Sequence, residues 1–156
     1  MSIDLNESMA TTARVRDTCL CLHVQRAARV LARRFDEALR PVGLTHGQFS
    51  LLNGLNRPGP TPRAAILSLL SMDRTTLTAV AKPLVRRGLV VEVVNPKDRR
   101  SRFLSITPAG RELLALAMPI WTETHGEIEQ GLEPQAPPRL RADLDRLAQR
   151  RRGATP

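Results

Sequence analysis

Lys97, Arg99, Arg100 and Arg102 fall within six residues of one turn-rich stretch, NPKDRRSR. Like charges this close repel one another, so keeping them together calls for a polyanion. The narrow minor groove of a duplex, with its enhanced negative potential, fits a protruding basic turn. Asp98 sits among the cations, positioned to hold one arginine by a charge-assisted pair and present it. The plain alternative is a solvated edge hairpin whose charges block strand-to-strand association. Upstream lies DRTTLT, residues 73–78. Its helical reading turns Arg74, Thr75, Thr76 and Thr78 outward and Leu77 inward. Arginine reads guanine O6 and N7 bidentately, and threonine offers a hydroxyl and a methyl to thymine. The amides of a helix start also attract phosphate. Taken alone, such a turn is equally a capped surface helix.

The elements that must position these residues follow from apolar spacing. Residues 1 to about 16 are polar and without pattern, and read as a mobile arm. Leu20, Val24, Ala27, Leu31, Phe35 and Leu39 then recur at helical spacing, and Pro41 and Gly43 stop that helix. Thr45 with Gln48 three residues on is a capping box for a second helix. Thr61 and Pro62 read as the cap and first residue of a short third helix. Asp73 caps a fourth that ends at Gly88, with Pro83 expected to bend it. Val90–Val94 is extended in character, and with a second strand around Phe103–Ile106 it makes a hairpin. Thr107 and Pro108 open a fifth helix, which Pro119, Gly126 and Gly131 are expected to kink or fray. EPQAPP separates it from a last helix carrying Leu140, Leu144 and Leu147.

This order predicts a mainly α fold with a small β-hairpin wing. The third and fourth helices, joined by Ser71 and Met72, fit a helix-turn-helix whose second member enters the major groove. The expected division is a mobile arm at 1–16, a helical dimerisation region at 17–44 and 108–150, a winged helix-turn-helix at 45–107 and a basic tail at 151–156.

The chain has 156 residues with 24 Lys and Arg against 15 acids, a formal charge of +9. That excess points to nucleic acid or an anionic membrane surface. No apolar run approaches the roughly 20 residues that span a bilayer, and the N-terminus lacks a secretory pattern. Only two cysteines occur, Cys19 and Cys21, which fits a reducing cytoplasm. Aromatics make up 3% of the chain, so aliphatic side chains fill the core and an obligate dimer is expected to complete it. There is no glycine-rich phosphate loop, no HExxH and no nucleophile elbow. Neither an enzyme nor a cofactor is expected. A protein-docking winged helix would not need four cations at its hairpin tip. Non-specific architectural binding would, and remains the rival reading.

With DRTTLT, KPLVRRGLV and NPKDRRSRFLSITPAGREL in this order, the chain resembles the MarR family of transcription regulators over about residues 18–125. The wing segment is the most specific part. The resemblance implies a triangular homodimer whose first and last helices interlock and whose two lobes each read half of a pseudo-palindrome in double-stranded DNA. Half-sites would lie about one turn, roughly 10 base pairs, apart. It further implies that Arg74, Thr75, Thr76, Thr78 and Lys82 are recognition-helix contacts, and that Asp98 and Arg100 are the wing pair. A repressor role is likewise implied.

Regulators of this type respond to a small phenolic or carboxylate effector, or to cysteine oxidation. For an effector, Gln25, Arg29, His46, Phe49 and Trp121 are candidate pocket residues, with Phe49 and Trp121 as apolar walls and His46 or an arginine for a carboxylate. Trp121 equally fits as core filler, and His46 as an exposed first-turn residue. For oxidation, Cys21 matches the reactive cysteine of members resembling the organic-hydroperoxide repressor. Their activating tyrosines are replaced here by Gln25 and Phe35, and the chain has no Tyr. Cys19 and His23 share a helix face, but two ligands are too few for a structural zinc site, so no metal is expected.

Overall fold

Phe35 and Leu39 are the buried end of the apolar stripe on the long helix α2, Leu20–Leu39. A computed structural model describes residues 5–95 and 98–149, with side chains given from residue 9 onward except at 99–101. Arg40–Val42 continues α2 as a 3-10 turn, and Gly43 closes it at φ +65°, where a side chain would be strained. Ahead of α2, Leu5–Thr18 forms a helix, α1. The polar stretch expected to be a mobile arm is thus helical over these residues. The segment contains neither Gly nor Pro, and Glu, Met, Ala and Arg sustain a helix without any apolar stripe to announce it.

Thr45 caps α3, His46–Leu55, through the expected reciprocal box. Its hydroxyl accepts from Gln48 N–H at 3.3 Å, and Gln48 Oε1 accepts from Thr45 N–H at 3.0 Å. Thr61 and Pro62 depart from expectation. They form a short strand, β1, while α4 spans Arg63–Leu70. A residue before proline is pushed towards extended backbone, and Thr61 is β-branched and buried, so a ladder suits it better than a cap. Ser71, in the left-handed region, turns the chain into α5, Arg74–Arg86. Pro83 lies inside α5, which continues through it.

Strands β2, Val90–Asn95, and β3, Asp98–Ile106, make the expected hairpin, with β1 added on the far side of β3. Val90 faces Ile106, Glu92 faces Leu104 and Val94 faces Arg102, with a register shift beyond Val94. The sheet is thus three-stranded and antiparallel, in the order β1-β3-β2. Thr107 caps α6, Pro108–Gln130, accepting from Gly110 N–H at 3.0 Å while its hydroxyl donates to Gly88 O at 2.8 Å. Gly110 is required there, since a Cβ would lie 2.2 Å from Leu89 O. α6 runs through Pro119 and Gly126 and stops at Gly131. The last helix, α7, is Ala136–Ala148.

The core gathers Phe49, Leu52 and Leu55 of α3, Ile66 of α4, Leu77 and Leu84 of α5, Val90 and Leu104 of the sheet and Leu114 of α6. It packs α5 against the sheet. By contrast Leu20, Val24 and Leu31 of α2 and Leu140, Leu144 and Leu147 of α7 stay exposed. Among the described residues no helix is long and apolar enough to cross a membrane.

Candidate nucleic-acid interface

Asp73 sets the start of α5. Its carboxylate accepts from Thr76 N–H at 2.7 Å and from the Thr76 hydroxyl at 3.0 Å. Those two bonds hold its pKa below the ordinary carboxylate value. Leu77, Ala81 and Leu84 point into the core, which leaves Arg74, Thr75, Thr76, Thr78 and Lys82 exposed on the opposite side. The outward face expected from the sequence is therefore present. Two of its hydroxyls are already donors, Thr76 to Asp73 and Thr78 to the Arg74 carbonyl at 2.8 Å. Their oxygens keep acceptor capacity and their methyl groups remain at the surface.

Beside this face the wing supplies Asp98 and Arg102, both exposed. Lys97 lies outside the described residues, as do the side chains of Arg99 and Arg100. Between α5 and the sheet run two adjoining hollows. One, of about 400 Å³, is lined among others by Arg63, Arg74, Thr78 and Arg102. Its neighbour, of about 270 Å³, is lined by Arg63, Thr78, Lys82, Val85, Arg86 and Glu92. Sequence reasoning missed Arg63, Arg86 and Glu92 as part of this surface. Arg63 follows Thr61 and Pro62 directly, and only the β1 pairing carries it to the wing.

The five effector candidates fall in three places. Phe49 and Trp121 stack with centroids 6.2 Å apart and wall a cavity of about 280 Å³ shared with Ser50, Asn53, Leu69, Leu70 and Met118. His125 also stacks on Trp121, with centroids 4.6 Å apart. His46 instead stacks on Phe35 at 5.3 Å. Gln25 and Arg29 run along α2, where Arg29 donates to Gln25 and the Gln25 amide donates to Cys21 Sγ at 3.2 Å. Cys21 is exposed, and with Leu20, Val24, Leu144 and Leu147 it borders a cleft of about 420 Å³ between α2 and α7.

The MarR family profile matches residues 44–101, which cover α3 to the wing. The transcriptional activatory protein BadR of Rhodopseudomonas palustris is 30% identical over 113 residues, 70% of this chain and 65% of BadR. Against three curated relatives, the matched stretch spans 58%, 65% and 61% of their length. The transcriptional regulator MosR of M. tuberculosis, solved in complex with DNA, is 33% identical with a TM-score of 0.74, over 83% of this chain and 92% of MosR. CouR of Rhodococcus jostii, a transcriptional repressor solved on a 23-mer duplex, is 29% identical with a TM-score of 0.76, over 86% and 96% of the two chains.

Proposed function

From this chain's membership of the MarR family of winged-helix transcription regulators, we propose that it is a homodimeric repressor that reads a pseudo-palindromic operator and leaves it when a small aromatic or carboxylate effector binds. The observation that carries the reading is the α5 surface: Arg74, Thr75, Thr78 and Lys82 exposed, with Leu77, Ala81 and Leu84 anchored behind them. Arg74, Thr75, Thr76, Thr78 and Lys82 meet the major groove. Lys97, Asp98, Arg99, Arg100 and Arg102 serve the wing in the minor groove. MosR and CouR, both solved on DNA, support this use of the fold.

Phe49 and Trp121 wall the effector pocket. Fluorescence anisotropy on a duplex from the region upstream of the gene, against a random duplex at equal salt, tests the reading. Arg74→Ala is expected to cost about 1–3 kcal/mol on the specific duplex and much less on the random one. Equal affinity of the unaltered protein for both duplexes favours architectural binding instead.

A second reading for release has its own support. Cys21 is at the surface, where an oxidant can reach it, and its Sγ accepts a hydrogen bond from the Gln25 amide. Peroxide releasing the unaltered protein but not Cys21→Ser from DNA would favour oxidation over an aromatic effector.

A further inference from the structure

Arg63 is the first residue of α4. It lines both hollows beside α5, so together they form one trough between the recognition helix and the wing. Among the lining residues the cations are Arg63, Arg74, Lys82, Arg86 and Arg102, against one carboxylate, Glu92. Arg63 Nη2 lies 3.5 Å from Glu92 Oε1, well beyond the 2.7–2.9 Å of a strong charge-assisted bond. Its Nε is buried with no hydrogen-bond partner. A guanidinium with five donors, one long ion pair and one unmet buried donor is poorly satisfied. A phosphodiester offers a negative charge and several acceptors in the geometry that arginine matches best.

We propose that Arg63 grips a DNA phosphate in this trough, and that Glu92 is its counter-ion in the free protein, an acid that DNA must displace. The proposal rests on the DNA-binding reading above and adds to it a contact outside both α5 and the hairpin tip. Glu92 then restrains affinity for all duplexes alike, because a phosphate carries no base identity.

The test is anisotropy with the full chain on an upstream duplex and a random duplex, across a series of KCl concentrations. Arg63→Gln should weaken both by roughly tenfold and reduce the salt-dependence slope by about 0.9, the value for one phosphate. Arg63→Lys should keep that slope. Glu92→Gln should tighten binding by roughly threefold, the size of an exposed ion pair. That gain should shrink when Arg63→Gln is also present. Should the unaltered protein bind neither duplex, the DNA reading itself fails. If it binds while Arg63→Gln leaves affinity and slope unchanged, only the Arg63 contact is overturned. An affinity loss with a lowered melting temperature and an unchanged slope makes Arg63 structural and overturns the contact as well. A Glu92→Gln gain that persists without Arg63 overturns the counter-ion role.

Discussion

His46 joins local chemistry to packing. Its ring stacks on Phe35, and its backbone N–H donates to Asp36 Oδ1 at 2.6 Å. Burial lowers the imidazole pKa from its ordinary 6.5, while the charge of Asp36 pulls it partly back. The fold thus favours the neutral ring. Above pH 6.5 both folded and unfolded chains hold it neutral, and nothing is lost. As pH falls through 6.5 the unfolded chain takes the proton first, so stability declines from there down to the folded-state pKa. Melting temperatures between pH 7.5 and 5 should accordingly fall more steeply for the unaltered protein than for His46→Gln, and parallel curves would refute this. The sequence displays Thr45–Gln48 because a capping box is local in spacing. The bond between Asp36 and His46 crosses a turn that only the folded chain closes. For the same reason the capping part of Asp73 was legible, whereas the meeting of Arg63 with Glu92 was not.

At the level of elements, a glycine or proline made some helix ends readable, such as those at Gly43 and Thr107-Pro108, but misplaced the start of α4. Gly43 is the clearest example: it ends the 3-10 turn after α2 at φ +65°, and its carbonyl accepts from Arg87 Nη1 at 2.6 Å. One residue thereby ties the end of the long helix to the end of α5. Gly43→Ala should cost about 1–2 kcal/mol from left-handed strain. Its added Cβ would meet the Arg87 guanidinium at 3.5 Å, an ordinary contact, so the cost comes from the backbone. Urea unfolding checks this: the midpoint should drop with an unchanged m value, and an unmoved midpoint would show that the turn relaxes freely. β1 had no comparable marker. Thr61 pairs with Leu104 and Pro62 with Phe103, partners far along the chain, and a Thr-Pro step is locally indistinguishable from a helix cap. α1 escaped notice for the opposite reason, as a helix whose exposed residues leave no apolar period to detect.

Viewed whole, the chain buries one core but leaves a second apolar surface without cover. Leu20 is 66% exposed and Leu147 61%, on helices that border a common cleft. Val24, Leu140 and Leu144 extend the same apolar character. Water against so many large aliphatic side chains is costly, and a second copy of the chain presenting the same patch is the simplest cover for it. The exposed ends of α2 and α7 would then interlock, and the two α5 helices would be held at a fixed spacing by the dimer. Replacing Leu144 and Leu147 together with arginine places two charges in that interface and none in the core. Sedimentation equilibrium should return the 17.3 kDa single-chain mass for the double variant and twice that for the unaltered protein. Far-UV circular dichroism should stay helical, because the core residues are untouched. Affinity for a two-half-site duplex should fall by more than about tenfold, since each lobe must then bind alone and loses the effective concentration its partner supplied. An unaltered protein that sediments as a single chain, or a double variant that remains paired and binds as before, would remove α2 and α7 from the interface.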